Sequence, residues 1–355
     1  MTIPKLYGER INKIVNWMLE RGESPIAIKQ LVRGIYKSSI PRFNDLKELR
    51  AELRRSLSDK FGDSYLTLAP VLSQEADQAN KVLFECSDKE RIEGVSLSFR
   101  NHNSLCISSQ VGCAFGCTFC ESGKVGLKRQ LNSSEITGQV YYFKASGKLG
   151  SVSFMGMGEP LSNPKVYDAI SALTNKDQFG LSPSRINVST IGIIPGIVKL
   201  NSVHPNVNLA FSLHSPFPDQ RRELMPIEKA YPFSDTLKVL DDRIAKTKNR
   251  IWIAYLLLQG VNDTVDHARA LADLIKRRPA EIRYLYHINL LPYNPGRTPQ
   301  GLRRVDDITA FHRIITNAGI ASSYRNSFGR SIDAACGQLF AEYESRTISK
   351  SAVQS

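Results

Sequence analysis

Cysteines and long apolar runs are both scarce in this chain. Six cysteines in 355 residues are too few for the dense disulfide framework of a small secreted domain. No run approaches the ~20 apolar residues of a membrane span, and Met1 to Lys5 open no apolar stretch of the signal-peptide type. We therefore expect a cytoplasmic protein with no membrane partner, in which clustered cysteines stay reduced and serve metal binding or catalysis.

Acidic residues are outnumbered by basic ones. The chain has 34 Asp and Glu against 47 Lys and Arg, a formal net charge of +13. Residues 1–60 alone hold 13 Lys and Arg against seven Asp and Glu. A basic surface attracts polyanions, because each neutralised phosphate releases counterions. A nucleic-acid partner is one interpretation, and a solvated basic face without a partner is the other.

Three of the six cysteines lie close together, in the order Cys113, Cys117 and Cys120. Their C-x3-C-x2-C spacing on a glycine-containing loop suits a soft metal centre. Iron–sulfur clusters usually take four cysteines, and three would leave one iron open to a ligand. The spacing therefore predicts a reactive cluster site. A three-cysteine zinc site completed by histidine and buried structural cysteines are the alternatives, although no Cys–His pair of zinc spacing follows.

The first 62 residues have the pattern of a small helical domain. Apolar residues recur at helical spacing from Leu6 to Leu19, Ser24 before Pro25 marks the start of a second helix, and Asn44 can cap a third. After this basic accessory domain at 1–62, residues 63–90 are predicted to be a connector with a short strand near its end.

From about residue 91 onward, short β-rich runs alternate with helical segments. Strands are predicted at 91–99, 105–109, 151–155, 186–190, 208–213, 251–258 and 284–291. Helices are predicted at 134–144, 164–174, 195–203, 234–246, 264–277 and 306–318. This alternation indicates βα units on a parallel sheet. The predicted fold class is therefore α/β. Because six units are fewer than the eight of a closed barrel, we expect an open partial (βα)6 barrel over 91–346. A disordered tail is predicted at 347–355.

Polar residues follow several of the predicted strands, where such folds place their chemistry. They are Gly158 and Glu159, then Ser189, then Ser212, Leu213 and His214, and finally Asn294. Singly, a Gly-Glu-Pro sequence is an ordinary turn and a lone histidine is usually structural. Several polar strand ends beside a cysteine loop favour a ligand site, in which a glycine admits close approach and Glu159 accepts from an ammonium group.

Two further cysteines are candidates for chemistry. Cys106 lies seven residues before the cysteine loop, and Cys336 lies far along the chain among small residues that would let a bulky ligand approach. Two buried free cysteines are the alternative, a common environment for this residue. Cys86 is assigned to that structural class.

These residues together resemble a known family. The three-cysteine loop, with Phe119 before its last cysteine, resembles that of the radical S-adenosylmethionine (SAM) enzymes. Cys106, the Met-Gly-Met-Gly-Glu-Pro turn at 155–160, the Ser-Leu-His sequence at 212–214 and Asp-Ala-Ala-Cys-Gly-Gln at 333–338 resemble one subgroup, the RlmN and Cfr ribosomal RNA adenine methyltransferases. The resemblance covers nearly the whole chain from about residue 90.

The resemblance implies a role for each candidate residue. Cys113, Cys117 and Cys120 would hold a [4Fe–4S] cluster whose open iron binds SAM. The SAM contacts would be Gly158, Glu159, Ser189, Ser212, Leu213, His214 and Asn294. Cys336 would carry the methyl group, Cys106 would form a transient disulfide with it, and Glu93 would accept a proton. The motif around Glu93 that matches the family is short. The alternative interpretation is that Glu93 is an exposed strand residue without a catalytic role.

The two branches of this family methylate different carbons of one adenine in 23S ribosomal RNA. RlmN-like enzymes act on C2 and also on transfer RNA, whereas Cfr-like enzymes act on C8 and confer antibiotic resistance. The sequences at 189–197, 211–217, 293–295 and 327–329 resemble the Cfr branch, so we expect C8 methylation. The implied partners are 23S ribosomal RNA, reached by extruding the base, and an electron donor such as flavodoxin or ferredoxin. The protein is expected to act as a monomer.

Two rival functions stay open on the sequence. A radical SAM enzyme with a non-RNA substrate would explain the cysteine loop but not the pair of Cys106 and Cys336. An RNA-binding protein with a structural zinc ion would explain the charge and the cysteines but not the polar strand ends.

Overall fold

The structure of the protein is a computed structural model. It describes residues 9–144, 147–295 and 301–324, together with Ile332 and Gln338. The predicted methyl carrier Cys336 and the predicted tail at 347–355 lie outside the described residues. Among the residues described, no helix combines the length and apolar character needed to cross a membrane.

The N-terminal region contains the three expected helices, α1 (Glu9–Glu20), α2 (Pro25–Tyr36) and α3 (Ala51–Phe61). Ser24 caps α2 by accepting a hydrogen bond from the backbone N–H of Ala27 at 3.1 Å. The prediction that Asn44 caps the third helix is wrong, because Asn44 lies in a short 3-10 turn and α3 begins seven residues later. That turn lets the nearby apolar side chains of residues 43, 46 and 49 all reach the core.

Residues 63–90 do not form a simple connector. They contain strands β1 (Ala69–Ala76) and β2 (Ala79–Glu85), which pair antiparallel and continue through β3 (Arg91–Phe99) into the main sheet. The sequence gives little sign of β1 because it is an exposed edge strand without an alternating apolar face. The barrel sheet therefore has an antiparallel extension.

The main sheet has ten strands in the order β1-β2-β3-β4-β7-β8-β9-β10-β11-β12. Its parallel strands are β4 (His102–Cys106), β7 (Leu149–Phe154), β8 (Ile186–Thr190), β9 (Asn208–Ser212), β10 (Ile251–Leu257), β11 (Tyr286–Pro292) and β12 (Ser322–Tyr324). A separate two-stranded hairpin consists of β5 (Gln110–Gly112) and β6 (Leu127–Gln130). The remaining helices are α4 (Glu121–Val125), α5 (Ser133–Lys144), α6 (Lys165–Thr174), α7 (Ile194–Val203), α8 (Pro218–Leu224), α9 (Phe233–Thr247), α10 (Val265–Lys276), α11 (Ala280–Arg283) and α12 (Thr309–Asn317).

The α/β partial barrel is confirmed. Six βα units run from β4 to α12, and the short strand β12, which the sequence did not predict, follows them at the sheet edge. The first unit begins at β4 rather than at 105–109, and the cysteine loop (residues 113–120) lies inside the β5–β6 hairpin.

The two faces of the parallel sheet differ in chemistry. The outer face is apolar and packs against the helices, with buried residues such as Val152, Val188, Phe211, Ile253 and Leu290. Besides Trp252, Leu256 and Leu291, the inner face carries polar or small residues in register across the strands: Ser104, Ser151, Ser153, Asn187, Ser189, Asn208, Ala210, Ser212, Ala254, His287, Asn289 and Ser323. A closed barrel fills this space with branched apolar side chains, whereas here it remains an open lumen.

The helical N-terminal domain is fixed to the barrel. The backbone N–H groups of Glu9 and Arg10 donate to the hydroxyls of Ser133 and Ser134, at 3.2 and 3.1 Å, at the start of α5. Tyr141 of the same helix joins the apolar core of the N-terminal domain. The two units therefore share a packed interface.

Candidate active site

The cysteine loop is held closed by backbone contacts. The N–H of Cys113 donates to the carbonyl of Gly126 at 3.0 Å, and the N–H of Cys120 donates to the carbonyl of Cys117 at 3.1 Å. Thr118 fixes the middle of the loop to the barrel, because its N–H donates to the carbonyl of Leu224 at 3.0 Å. The loop is thus attached both to its own hairpin and to the end of α8.

The three thiols of the loop are neutral groups unless a cation binds them. Burial, with a contribution from Cys120, raises the pKa of Cys113 to about 11; burial also raises the pKa values of Cys117 and Cys120, with neighbouring cysteines contributing at Cys117. Three neighbouring thiolates are therefore costly unless a positively charged centre binds them. The donor set fits an iron–sulfur cluster.

In the described parts of the chain, no three His, Cys, Asp or Glu side chains converge on one point as the ligands of a single metal ion do. The thiolates of an iron–sulfur cluster bind different irons, so cysteines distributed along one loop suit a cluster better than a single zinc ion.

A cavity of about 610 Å³ lies directly beside the cysteine loop. Phe119 and Cys120 of the loop line it, and so do five of the seven residues predicted to contact SAM: Gly158, Glu159, Ser189, Ser212 and His214. The strand ends and the loop are therefore brought to one site, which we call the rim.

Position 158 requires a glycine, both for its backbone angle and for the space around it. Its φ of 92° is in the region that favours glycine, and a Cβ at this position would lie 2.4 Å from the Cβ of Gln110. Gln110 in turn accepts from the N–H of Glu159 at 2.7 Å and donates to Ser162 at 2.9 Å. This contact fixes the turn after β7.

Glu159 lines the cavity and also accepts hydrogen bonds from the protein itself. One carboxylate oxygen accepts from the hydroxyl of Thr190 at 2.7 Å and from the N–H of Leu161 at 3.1 Å, and the other accepts from the N–H of Ile191 at 2.9 Å. Both oxygens thus serve internal hydrogen bonds that join the ends of β7 and β8. Burial raises the pKa of Glu159 to about 7 despite these donors. An ammonium group would have to share the carboxylate with the protein frame.

Ser189 and Ser212 face the cavity from neighbouring strands. Their hydroxyl oxygens are 3.5 Å apart, and both residues belong to the inner face. These two hydroxyls can bind a carboxylate or a ribose.

His214 is a buried, neutral ring at the rim. Its Nδ1 accepts from the N–H of Leu256 at 2.9 Å, which leaves the proton on Nε2. Burial, together with the charge of Arg221, lowers the pKa of His214 to about 3. Phe119 of the cysteine loop packs edge-on against the ring, with centroids 5.0 Å apart. The ring therefore joins the loop to the strand ends.

His214 lies in a turn and has an unusual φ of 58°. The side chain of Asn262 stabilises this turn. The Asn262 amide donates to the carbonyls of His214 and Leu256, each at 2.7 Å, and accepts from the N–H of Leu258 at 2.7 Å. No feature of the sequence distinguished this asparagine.

Arg221 is a second residue that sequence reasoning missed. Its fully buried guanidinium forms an ion pair with Glu228 and donates to the carbonyls of Ile191 at 2.8 Å, Ser212 at 3.1 Å and Leu213 at 3.0 Å. It therefore ties together the ends of β8 and β9. The adjacent Arg222 is exposed, so composition alone could not separate the two arginines.

Two predicted SAM contacts are not among the residues that line the cavity. The side chain of Leu213 lies in the apolar core, and its N–H donates to the carbonyl of Ala254 at 3.0 Å. Asn294 is buried, and its side-chain oxygen accepts from Arg304 at 3.0 Å. The structure gives both residues a structural role at the rim.

Glu93 is buried rather than exposed. Its carboxylate lies 3.6 Å from the ammonium of Lys81 on β2, and the side chains of both are 5% exposed. Cys106 is partly buried on β4 opposite Val95, two residues along from Glu93, so both share the inner face of the sheet. The structure thus brings two of the three predicted catalytic residues to one area, and the third, Cys336, lies outside the described residues.

Comparison with known proteins agrees with this geometry. Residues 107–275 match the model of the radical SAM superfamily. The crystal structure of a radical SAM methyltransferase from Sphaerobacter thermophilus is similar, with a TM-score of 0.87 and 31% identity over 95% of this chain and all of that one. The fold and site therefore define a radical SAM methyltransferase, a class that binds a [4Fe–4S] cluster and SAM.

Relatives that align with most of the chain show which family of radical SAM methyltransferases it belongs to. The ribosomal RNA large subunit methyltransferase Cfr of Staphylococcus aureus is 43% identical over 94% of this chain and 97% of its own length. Proteins of the same name from Clostridium botulinum (strain Loch Maree) and Bacillus velezensis are 47% and 44% identical over 89% of this chain and 92% of theirs. The chain belongs to the Cfr family of radical SAM methyltransferases.

Proposed function

We propose that this protein methylates C8 of an adenine in 23S ribosomal RNA, with the methyl group carried on Cys336. The observation that carries the proposal is the shared cavity. Cys120 of the cysteine loop lines this cavity together with Ser189, Ser212 and His214, and the cavity continues into the lumen of the barrel. The relatives named as ribosomal RNA large subunit methyltransferases support the substrate class.

The rim residues would hold the cofactors. Cys113, Cys117 and Cys120 suit a [4Fe–4S] cluster, and Ser189 with Ser212 suits the polar groups of SAM. When bound, this pair would supply a methyl group for the carrier thiol and a carbon radical that removes one hydrogen atom from that methyl group, so that the methyl carbon can add to an adenine carbon that polar methyl transfer cannot reach. The protein's part is to position these groups in the cavity beside the cysteine loop.

The other catalytic residues handle the methyl group and the proton. Cys336 takes the methyl group as a thiolate and presents it to the base as a thioether. Glu93, whose carboxylate lies 3.6 Å from the Lys81 ammonium, would accept the proton from the methylated carbon, and one electron would return to the electron donor. The Cys106 thiolate would then attack the sulfur of Cys336, so that a disulfide forms as the sulfur–carbon bond to the product breaks, and the released carbon takes up a proton to complete the methyl group. An external reductant returns this disulfide to two thiols.

The choice of C8 rests on the sequences around the site. The Thr190 to Gly196 turn and the residues after His214 resemble the C8 branch, and both adjoin the rim. We also propose that a flavodoxin or ferredoxin supplies the electrons and that the chain works as a monomer.

The direct test is mass spectrometry of adenosine from 23S ribosomal RNA incubated anaerobically with reconstituted protein, SAM and a reductant. We expect 8-methyladenosine at one position, absent with the Cys336→Ala variant. Expression in a sensitive bacterium should also raise resistance to drugs that bind beside that base. Only 2-methyladenosine, without resistance, would contradict C8 chemistry, and no methylated adenosine at all would contradict the function.

A further inference from the structure

The cavity at the rim extends through the barrel. Its lining includes Cys120 at one end and Lys248, Asn249, Arg250 and Leu285 at the other. The last four residues precede β10 and β11, so they lie at the N-terminal ends of the strands, opposite the cysteine loop. We call this opening the mouth.

The two ends of the lumen suit different ligands. The cysteine loop adjoins the rim, so the cofactors would occupy that end. A methyl acceptor must reach the same reacting centre without displacing them. The mouth leads into the lumen from the other side, and its exposed Lys248 and Arg250 make it basic.

Trp252 stands just inside the mouth on the inner face. Its neighbours in register are Ala210 on β9 and His287 on β11. The rings of Trp252 and His287 are 4.5 Å apart, and the Arg250 guanidinium lies 5.6 Å from the centre of the indole ring. The His287 ring is itself anchored, because its Nε2 lies 2.9 Å from the hydroxyl of Ser323. An anchored, half-buried indole that lines the lumen is a stacking surface for a nucleobase.

Small side chains leave room above the indole. Ala254 is the next inner-face residue of β10 beyond Trp252, and Ala210 lies beside the indole on β9. Leu256 is four positions beyond Trp252, which corresponds to roughly 13 Å along the strand. A flat base resting on Trp252 would therefore have space between the mouth and the rim.

We infer that the mouth is the RNA entrance of the barrel. The extruded adenine enters between Lys248 and Leu285, stacks on Trp252 and extends toward the rim, while Lys248 and Arg250 bind the adjoining phosphates. This assignment rests on the proposed function, because it names the part of the protein that receives the RNA.

The chain offers a direct probe, since it has two tryptophans, Trp17 and Trp252. In a Trp17→Phe variant the indole fluorescence comes from Trp252 alone. Titration with a ribosomal RNA fragment should quench it, and the same fragment with an abasic site at the target position should quench it far less. In a Trp252→Phe variant, Trp17 should respond equally to both RNAs.

Binding measurements give an independent test. Trp252→Ala should weaken RNA binding by roughly fivefold to 150-fold, whereas Trp252→Phe should retain most of the affinity. Arg250→Gln should lower the slope of log affinity against log salt by about 0.7, the effect of one phosphate contact. Arg269→Gln is the matched control, because Arg269 is exposed on α10 on the outside of the barrel.

The outcomes separate this inference from the proposed function. Normal methylation with unquenched Trp252 and an unchanged salt slope for Arg250→Gln would show that RNA enters elsewhere. Wild-type protein that neither binds nor methylates ribosomal RNA would overturn both proposals. Quenching by free SAM equal to that by RNA would assign the mouth to the cofactor and overturn the RNA entrance.

Discussion

The two ends of the lumen are built in opposite ways. At the rim, buried polar groups such as Glu159, Arg221 and Asn262 form hydrogen bonds with the protein's own strand ends. At the mouth, the side chains of Lys248 and Arg250 are exposed to solvent. Radical chemistry needs fixed geometry, so a rigid frame suits the rim. RNA backbone is bound largely through charge, for which mobile side chains are adequate.

The largest expected effect is at the cysteine loop. Cys117→Ala should abolish both iron loading after anaerobic reconstitution and methylation, because the remaining two thiolates cannot hold the cluster. Iron analysis and the visible absorption spectrum measure this. The control is Cys86→Ala, a buried cysteine outside the loop, which should load iron normally. Full iron content in the Cys117 variant would contradict the cluster assignment.

The next effect concerns the frame of the rim. Arg221→Met should destabilise the protein by about 3–5 kcal/mol, because it leaves the buried Glu228 carboxylate uncompensated. Urea unfolding measures the change. Adding Glu228→Gln to the same variant should recover part of the loss. If Arg221→Met costs no more than an exposed substitution such as Arg222→Met, the frame does not depend on this pair.

Crowding at the rim can be separated from backbone strain. Gly158 and Gly260 both have positive φ, 92° and 73°, but a Cβ would meet Gln110 only at Gly158 and nothing within 4 Å at Gly260. Gly158→Ala should therefore cost about 1–3 kcal/mol more than Gly260→Ala and should weaken SAM binding. Unfolding and SAM titration of the two variants test this. Equal costs would mean that the turn after β7 relaxes freely.

The buried histidine of the rim should make stability depend on pH. Its folded pKa of about 3 lies below the ordinary 6.5, so the unfolded chain binds more protons between these values. The stabilising contribution is complete above pH 6.5 and is lost as the pH falls. We expect the wild type to lose about 1 kcal/mol relative to His214→Asn between pH 6.5 and 5.5. Asparagine is the control because it tolerates the positive φ and does not titrate. A constant difference across this range would show that His214 titrates in the folded protein as it does in the unfolded chain.

The smallest effect is expected when positive charge is removed from the N-terminal domain, and it should appear in the salt dependence of RNA binding. Its packed interface with the barrel makes deletion a poor test, so charge removal is preferable. Lys29 and Arg33 are exposed on α2, and their joint replacement by glutamine should lower the salt slope of RNA binding by about 1.4. Lys238 and Arg269 on outer helices provide the matched double control. An unchanged slope in the Lys29 and Arg33 variant would confine RNA binding to the barrel.

Sequence and structure agree best where the signal is local. The cysteine spacing lies within eight residues, and the alternation of strands and helices gave the six βα units. The strand predicted near the end of 63–90 corresponds to β2, whereas the edge strands β1 and β12 were missed, because they have weak or absent apolar alternation.

At the site, the structure adds contacts that the sequence could not show. Five predicted contacts line the cavity, but Glu159 bonds to the frame and Leu213 enters the core. No sequence pattern distinguished Arg221 and Asn262, because their burial and their partners depend on the fold and cannot be read from the residue type.

The sequence by itself determined the cluster loop, the βα order and the family, because spacing and motif are properties of a continuous segment. Tertiary structure alone decided which side chains share the lumen. Strand register places Trp252 beside Ala210 and His287, residues far apart in the chain. It also decided which charges are buried and paired, as at Glu93 and Lys81. Burial and pairing depend on contacts between distant segments, and the chemistry of the site follows from them.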